Sequence, residues 1–316
     1  MSIFTLTTPV VLIVFNRPDT TARVFAAIRD ARPAQLFIVA DGPRSERLGD
    51  VVLCNEVRCI VEQVDWQCEV SINYSDVNLG CKLRVSSGLN WVFGLVEAAI
   101  ILEDDCLPHP SFFEYCEKLL KYYNADTRIM HIGGCNYQSG KTRGDGSYYF
   151  SRLNHVWGWA TWRRAWKFYD VAMGTFPTFL LTNQIANVFT ELEVQAYWVN
   201  SFLSVYRNKL DTWDYQWTYA MWCQDGLAIL PNVNMISNIG FHSEATHTKD
   251  SSSRFANMST FPMDLIEHPS CVLHDIEADK YSYNLLFKPD PLKSVCNKII
   301  MYFAELFCST ADRSKR

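Results

Sequence analysis

Residues Ala98–Asp105 read AAIILEDD. Five apolar residues in a row, Ala98–Leu102, fit a strand covered on both faces, because a strand with one wet face alternates apolar and polar side chains. The run stops on three carboxylates, Glu103, Asp104 and Asp105. In parallel sheets ligands bind in the crevice outside the carboxyl ends of the strands. The flanking sequence repeats the design. Val10–Phe15 and Leu36–Ala40 are further apolar runs, and Glu69–Asn73 and Arg128–Ile132 read as strands. Helical stretches lie between them at Pro18–Ala31, Ser45–Val64, Lys82–Val96 and Ser111–Asn124. Pro18 suits a first helical turn, and Ala22, Phe25 and Ile28 fall on one face. The alternation predicts an α/β fold, with a mostly parallel, Rossmann-like central sheet flanked by helices on both faces.

Beyond Gly133 the pattern changes. Residues 133–150 are rich in Gly and Tyr and read as a loop or hairpin, and His155–Tyr169 is dense in Trp. Thr190–Lys209 reads as a long helix, Trp213–Cys223 as a short one and Leu227–Leu230 as one more strand. Ser251–Pro291 is polar and irregular, whereas Leu292–Phe307 carries the apolar stripe of an amphipathic helix. That helix either docks on the preceding domain or lies on a membrane surface, helped by Arg313, Lys315 and Arg316.

Composition excludes several classes of protein. Of 316 residues, 48% are hydrophobic and 20% charged, so a sizeable core is expected and disorder is not. A net charge of −5 offers no basic footprint for nucleic acid. The 11 cysteines contain no C-x-x-C pair and read as reduced, mostly buried thiols of a cytoplasmic protein. The first apolar run, Pro9–Phe15, is too short for a signal peptide or a membrane span.

The polar residues that follow the strands carry the chemistry. Glu103–Asp105 repel one another unless a cation or hydrogen-bond donors compensate them. Oxygen ligands suit Mg²⁺ or Mn²⁺, held by one or two carboxylates and substrate phosphates. The alternative is a solvated acidic turn before a helix. Asp41 can accept from a base or ribose, or can serve the Asp41-Gly42-Pro43 turn. Arg17, Lys82 and Arg84 can set cations near a diphosphate. Trp157 and Trp159 flank Gly158, which suggests a loop close to a ligand, whereas Trp162 and Trp166 read as the core of a helical subdomain. Asp214 stands among aromatics, where partial desolvation makes a carboxylate a better base, and Asp211 reads as a helix N-cap. His242 and His247 lie in the polar stretch Asn238–Thr248, where they can touch phosphate or metal and where a closing lid is expected.

Taken in order, Pro9–Arg17 (PVVLIVFNR), Val39–Arg44 (VADGPR), Leu102–Asp105 (LEDD) with Pro110–Tyr115 (PSFFEY), Val156–Trp159 (VWGW) and Thr212–Trp217 (TWDYQW) resemble the GT-A glycosyltransferases. The likeness is greatest to the N-acetylglucosaminyltransferase I type and extends to bacterial family-2-like transferases that build surface polysaccharides. It implies a nucleotide-sugar donor, a divalent metal (Mn²⁺ or Mg²⁺), a carbohydrate or lipid-linked glycan acceptor, and inversion at the anomeric carbon. Arg17 matches a donor-contacting Arg and Asp41 a uracil-binding Asp. Glu103 and Asp104 match residues that contact sugar and ribose, Asp105 the metal ligand and Asp214 the catalytic base. Lys82, Trp159 and His242 complete the expected donor, sugar and metal contacts. The family's uracil-contacting His has no counterpart in Lys82–Ser86 (KLRVS). The resemblance divides the chain into a catalytic domain, residues 1–250, and a C-terminal extension, 251–316. The domain comprises a nucleotide-sugar half, 1–135, and an acceptor half, 136–250. It also places the protein in the cytoplasm or on the inner face of the membrane. Two other readings of the residues are a sugar-phosphate nucleotidyltransferase and an inactive sugar-binding scaffold. The first of these would want a glycine-rich turn after the first strand, where Phe15-Asn16-Arg17-Pro18 has none.

Overall fold

A computed structural model of the protein describes residues 5–241 and 252–288. Its centre is an eight-stranded mixed sheet in the order β3-β2-β1-β4-β8-β6-β9-β7. The strands are β1 (Val10–Val14), β2 (Gln35–Ala40), β3 (Glu69–Tyr74), β4 (Ala98–Glu103), β6 (Ile129–Gly133), β7 (Tyr148–Ser151), β8 (Trp159–Trp162) and β9 (Leu227–Pro231). The first four are parallel, with Leu12 opposite both Ile38 and Leu102. A separate antiparallel pair joins β5 (Cys106–Pro108) to β10 (Ile236–Asn238).

Side-chain alternation in the strands feeds two cores. Val10, Leu12 and Val14 join one cluster with residues of α1 (Pro18–Ala31), α2 (Leu48–Val61) and α4 (Ser111–Tyr122). Val11 and Ile13 join the other, with residues of α3 (Gly80–Leu95), α5 (Arg163–Trp166), α6 (Phe176–Leu181), α7 (Leu192–Tyr206) and α8 (Asp214–Cys223). Both faces of the sheet are therefore covered, which removes apolar strand surface from water on each side. In α1 the inward face is Thr21, Val24, Phe25 and Ile28, and Ala22 is exposed. The face is thus set by the β-branched and aromatic residues, and the small Ala22 sits just outside it.

Three elements differ from the sequence reading. Trp159–Trp162 form a strand, β8, inserted antiparallel between β4 and β6, so Trp162 belongs to the sheet and not to a helical subdomain. Tyr148–Ser151 form an antiparallel edge strand on β9 where a loop or hairpin was expected. Within the polar stretch after Ser251, α9 (Ile276–Ser282) forms, capped by Asp275, which accepts from the backbone N–H of Ala278. Phe255, Met258, Met263, Ile266 and Val272 pack on the first core, and Tyr283 enters the second. Of the nine described cysteines, all unpaired, only Cys54, Cys106, Cys116 and Cys135 are buried, fewer than expected. Among the described residues no helix is long and apolar enough to cross a membrane. The amphipathic stretch Leu292–Phe307 lies outside the described residues.

Candidate functional site

The carboxyl ends of β1, β2 and β4 open on a cleft of about 550 Å³. Arg17, at the N-cap of α1, and the triplet Glu103–Asp105, closing β4, form one wall. Asp211–Tyr215, leading into α8, line the same cleft from the chain's second half, and Val156 and Trp157 add apolar surface. The cleft therefore brings together Arg17, Asp41, Glu103, Asp104, Asp105 and Asp214, which lie far apart in sequence.

The acidic triplet is held by few donors. Arg17 Nη1 lies 2.8 Å from Asp105 Oδ2 and 3.4 Å from Asp104 Oδ1. The backbone N–H of Phe15 donates to Asp104 Oδ2 at 3.4 Å, and Cys106 Sγ donates to Asp105 Oδ1 at 3.4 Å. Asp104 and Asp105 are buried and Glu103 is partly so. Burial, then Asp105, Asp104 and Asp214, push the Glu103 carboxyl up to about 8. Burial pushes Asp104 up as well, against the pull of Arg17. Burial opposes the charge on Arg17, but Asp104 and Asp105 outweigh it and the guanidinium is held more firmly protonated. Three carboxyls facing one guanidinium, with Glu103 and Asp104 pushed towards their neutral forms, mark a cleft wall with too few positive partners for full ionisation.

Asp41 occupies the cleft but its oxygens are already engaged. Oδ1 accepts from the backbone N–H groups of Gly42 and Leu79, each at 2.9 Å. Oδ2 accepts from Asn78 Nδ2 at 3.0 Å and the Gly80 N–H at 3.1 Å. Each carboxylate oxygen offers about two lone pairs, so the set is full. These bonds give Asp41 the turn role weighed above: it ties the loop after β2 to the start of α3 while lining the cleft. Gly80 makes that start possible, with φ +78°, and a Cβ there would lie 2.9 Å from Asp211 Oδ2.

Two other expected contacts are not assembled here. Trp159 is fully buried in β8, stacked on His131 at 5.1 Å and on Trp213 at 5.4 Å, and does not line the cleft. Strand alternation turns it into the second core, and only Trp157 reaches the cleft. Lys82 points away and donates to Asn208 Oδ1 at 2.6 Å. His242 and His247 lie outside the described residues, as does the expected lid from residue 242 on; of its first residues, Asn238 belongs to β10. Arg84, also expected there, lines the cleft with Arg17, as does Arg44, which is ion-paired with Asp50. Arg84 is 5% exposed, donates through Nη2 to the carbonyl and Oδ1 of Asn73 at 2.7 Å, and leaves Nε without a partner among the described residues.

Asp214 is the first residue of α8, partly exposed, and accepts from Thr212 Oγ1. Asp211 is exposed and precedes the helix by three residues, so it is not the N-cap, a place taken by Trp213.

Two contributors escaped the sequence reading. Asn238 lines the cleft from β10, and Gly240 lies against Asp105, where a Cβ would fall 2.2 Å from Oδ2. The only sequence signal was the glycine in Asn238–Phe241.

The residues present can take a divalent cation in one specific way. Among the described residues no group of three His, Cys, Asp or Glu side chains could hold a metal by itself. Mg²⁺ and Mn²⁺ need only one or two carboxylates when phosphates and water supply the rest. Asp105, a buried carboxylate that lines the cleft beside Glu103 and Asp104, fits that arrangement and not a protein-only cage.

No protein-family model matches the chain, and no curated protein matches it. Among solved structures it is similar to the mannosyltransferase PcManGT from Pyrobaculum calidifontis, solved in complex with GDP-Man and Mn²⁺, at 15% identity and a TM-score of 0.34. That match covers 50% of this chain and only 45% of the mannosyltransferase. A UDP-glucose pyrophosphorylase solved with UDP-glucose is similar at 10% identity and a TM-score of 0.28, over 52% of this chain and 79% of that one.

Proposed function

We propose that the chain is an inverting, divalent-metal-dependent glycosyltransferase, moving a sugar from a nucleoside-diphosphate donor, a UDP-sugar by preference, to a hydroxyl of a glycan or lipid-linked glycan. One observation carries the reading: Asp214 at the start of α8 faces the same cleft as the Glu103–Asp105 triplet at the end of β4. A carboxylate apart from the acidic cluster is what a reaction needs if one side must bind a leaving diphosphate while the other takes a proton.

Arg17 and Arg84 supply positive charge to the diphosphate side, and a guanidinium matches phosphate oxygens two at a time. Asp105 would hold Mn²⁺ or Mg²⁺, which when bound neutralises charge on the leaving diphosphate as a Lewis acid. Glu103 and Asp104 lie where hydroxyls of the donor can donate to them. Asp214, oriented by Thr212, accepts the proton of the acceptor hydroxyl. The hydroxyl oxygen bonds to the anomeric carbon as the bond to the diphosphate oxygen breaks, and the electron pair leaves on that oxygen. Attack from the face opposite the leaving group inverts the centre.

The test is release of nucleoside diphosphate from a panel of nucleotide sugars with Mn²⁺, repeated with Asp214→Asn and Asp211→Asn. Asp214→Asn is expected to lose about 10²–10⁴ in rate while still binding nucleotide, and Asp211→Asn to keep substantial activity. An active Asp214→Asn protein overturns the base assignment. Formation of nucleotide sugar from a nucleoside triphosphate and a sugar phosphate, with no diphosphate release, would make the protein a nucleotidyltransferase instead.

A further inference from the structure

The carboxylate assigned to a divalent cation already holds a cation belonging to the chain. Arg17 Nη1 sits 2.8 Å from Asp105 Oδ2 and also reaches Asp104. Asp105 Oδ1 is taken by the Cys106 thiol. A metal ion bound to Oδ2 at about 2.0–2.2 Å would therefore share one oxygen with a guanidinium. Two positive charges that close repel strongly at the low effective dielectric of a cleft wall. Arginine cannot relieve this by losing its proton. It must swing away, or an anion must come between the two charges.

The surroundings allow a swing of the side chain and not of the backbone. The Arg17 carbonyl accepts from Thr21 N at 3.0 Å and from Thr21 Oγ1 at 2.6 Å, which pins the start of α1. The guanidinium itself lines the open cleft, with 21% of the side chain exposed. A diphosphate entering the cleft offers the fork of Arg17 a better-matched partner than two splayed carboxylates. It also brings oxygens that complete the coordination of the metal.

Resting on the proposed function, we propose that Arg17 acts as a stand-in cation. It keeps divalent metal off Asp105 in the empty site and releases that carboxylate when a nucleoside diphosphate arrives. Metal and nucleotide then bind as a unit, and the empty enzyme is protected from loading metal alone. Arg17 is on this view a positioning residue for the metal as well as a contact for the diphosphate.

The experiment measures Mn²⁺ binding by paramagnetic resonance of the free ion, in the absence of nucleotide and then with UDP or GDP. The proteins are wild type, Arg17→Met, Arg17→Lys and the double variant Arg17→Met/Asp105→Asn. Without nucleotide, Arg17→Met is expected to bind Mn²⁺ at least tenfold tighter than wild type. Arg17→Lys, which keeps the positive charge on a shorter side chain without the guanidinium fork, should fall between and keeps the test open if the Met variant folds poorly. The double variant should lose the gain. Equal nucleotide-free Mn²⁺ affinity in wild type and both Arg17 variants, with metal still recruited by nucleotide in wild type, overturns the inference and leaves the transferase reading standing. A gain that survives Asp105→Asn overturns it too. Absence of Mn²⁺ binding in every protein, with and without nucleotide, removes both the inference and the metal in the proposed function.

Discussion

Gly240→Ala is a one-carbon perturbation whose consequence can be worked from the geometry. A Cβ built at residue 240 lies 2.2 Å from Asp105 Oδ2, 2.6 Å from its Cβ and 2.7 Å from its Cγ. Carbon atoms pack at about 3.5–4.0 Å, so the two residues must part by about 1 Å. The glycine cannot retreat cheaply. The Ile239 N–H donates to the Asp105 carbonyl at 2.8 Å, the Gly240 N–H donates to Asn238 Oδ1 at 2.9 Å, and Asn238 is paired with Cys106 in the β5–β10 sheet. Turning the Asp105 side chain relieves the contacts to Oδ2 and Cγ but not the one to Cβ, so the backbone at 105 or 240 must also shift, drawing the carboxylate off Arg17. Overpacking of this kind typically costs about 1–3 kcal/mol of stability. A catalytic or ligating group misplaced by about 1 Å can cost on the order of 10² in rate. The assay is the initial rate of nucleoside-diphosphate release, with urea midpoints measured alongside. Gly49→Ala is the control: it lies at the second position of α2 with nothing within 4 Å of the added carbon. It should gain up to about 1 kcal/mol from helix propensity and keep full activity. Gly240→Ala turning over as fast as Gly49→Ala would refute the reasoning, since Asp105 would then tolerate displacement.

Trp159→Ala should unfold at lower denaturant, by about 3–5 kcal/mol for a fully buried aromatic, because it empties the stack among His131, Trp213 and Trp217. A loss of nucleotide binding with unchanged urea midpoint would return Trp159 to the cleft. Asp41→Ala strips an acceptor from three backbone N–H groups. It should therefore lower stability by about 1–3 kcal/mol, whatever nucleotide base the donor carries; a purely base-dependent change in nucleotide affinity, at full stability, would contradict that. Burial holds the imidazoles of both His131 and His155 neutral, down to about 3. Their folded values lie below the unfolded one, so the stability they contribute is complete above about pH 6.5 and is lost as pH falls from there towards 3. Glu103 titrates with the opposite sign, so the effect is read by difference. His155 Nε2 has no hydrogen-bond partner among the described residues, and His155→Phe should flatten the fall in unfolding free energy below pH 6.5 by up to about 1.4 kcal/mol per pH unit. Parallel stability–pH curves for the two proteins would show that His155 protonates freely in the folded state.

Much of the cleft was legible from local sequence because parallel strands announce themselves twice. Near-continuous apolar runs marked β1, β2 and β4, and the polar residues that ended them were the cleft residues: Arg17, Asp41 and Glu103–Asp105. Asp214 was legible for a different reason, as a carboxylate among indoles at a helix start. Trp159 was misread because a glycine beside two tryptophans says nothing about which way each side chain points. That is decided by pleating, once Trp159–Trp162 pair with β4 and β6.

The sequence by itself determined the layered α/β architecture, through the periods of its apolar residues, and the end of the sheet at which polar groups collect. Only the tertiary structure decided what those groups do for one another. Asp41 spends its lone pairs on the loop at 78–80, Arg17 lies across Asp104 and Asp105, and Gly240 closes on Asp105 from more than 130 residues away. The reason is physical. Periodicity is a property of neighbours along the chain, whereas the filling of a carboxylate's lone pairs depends on which donors the folded chain brings within about 3 Å, and no local pattern records that.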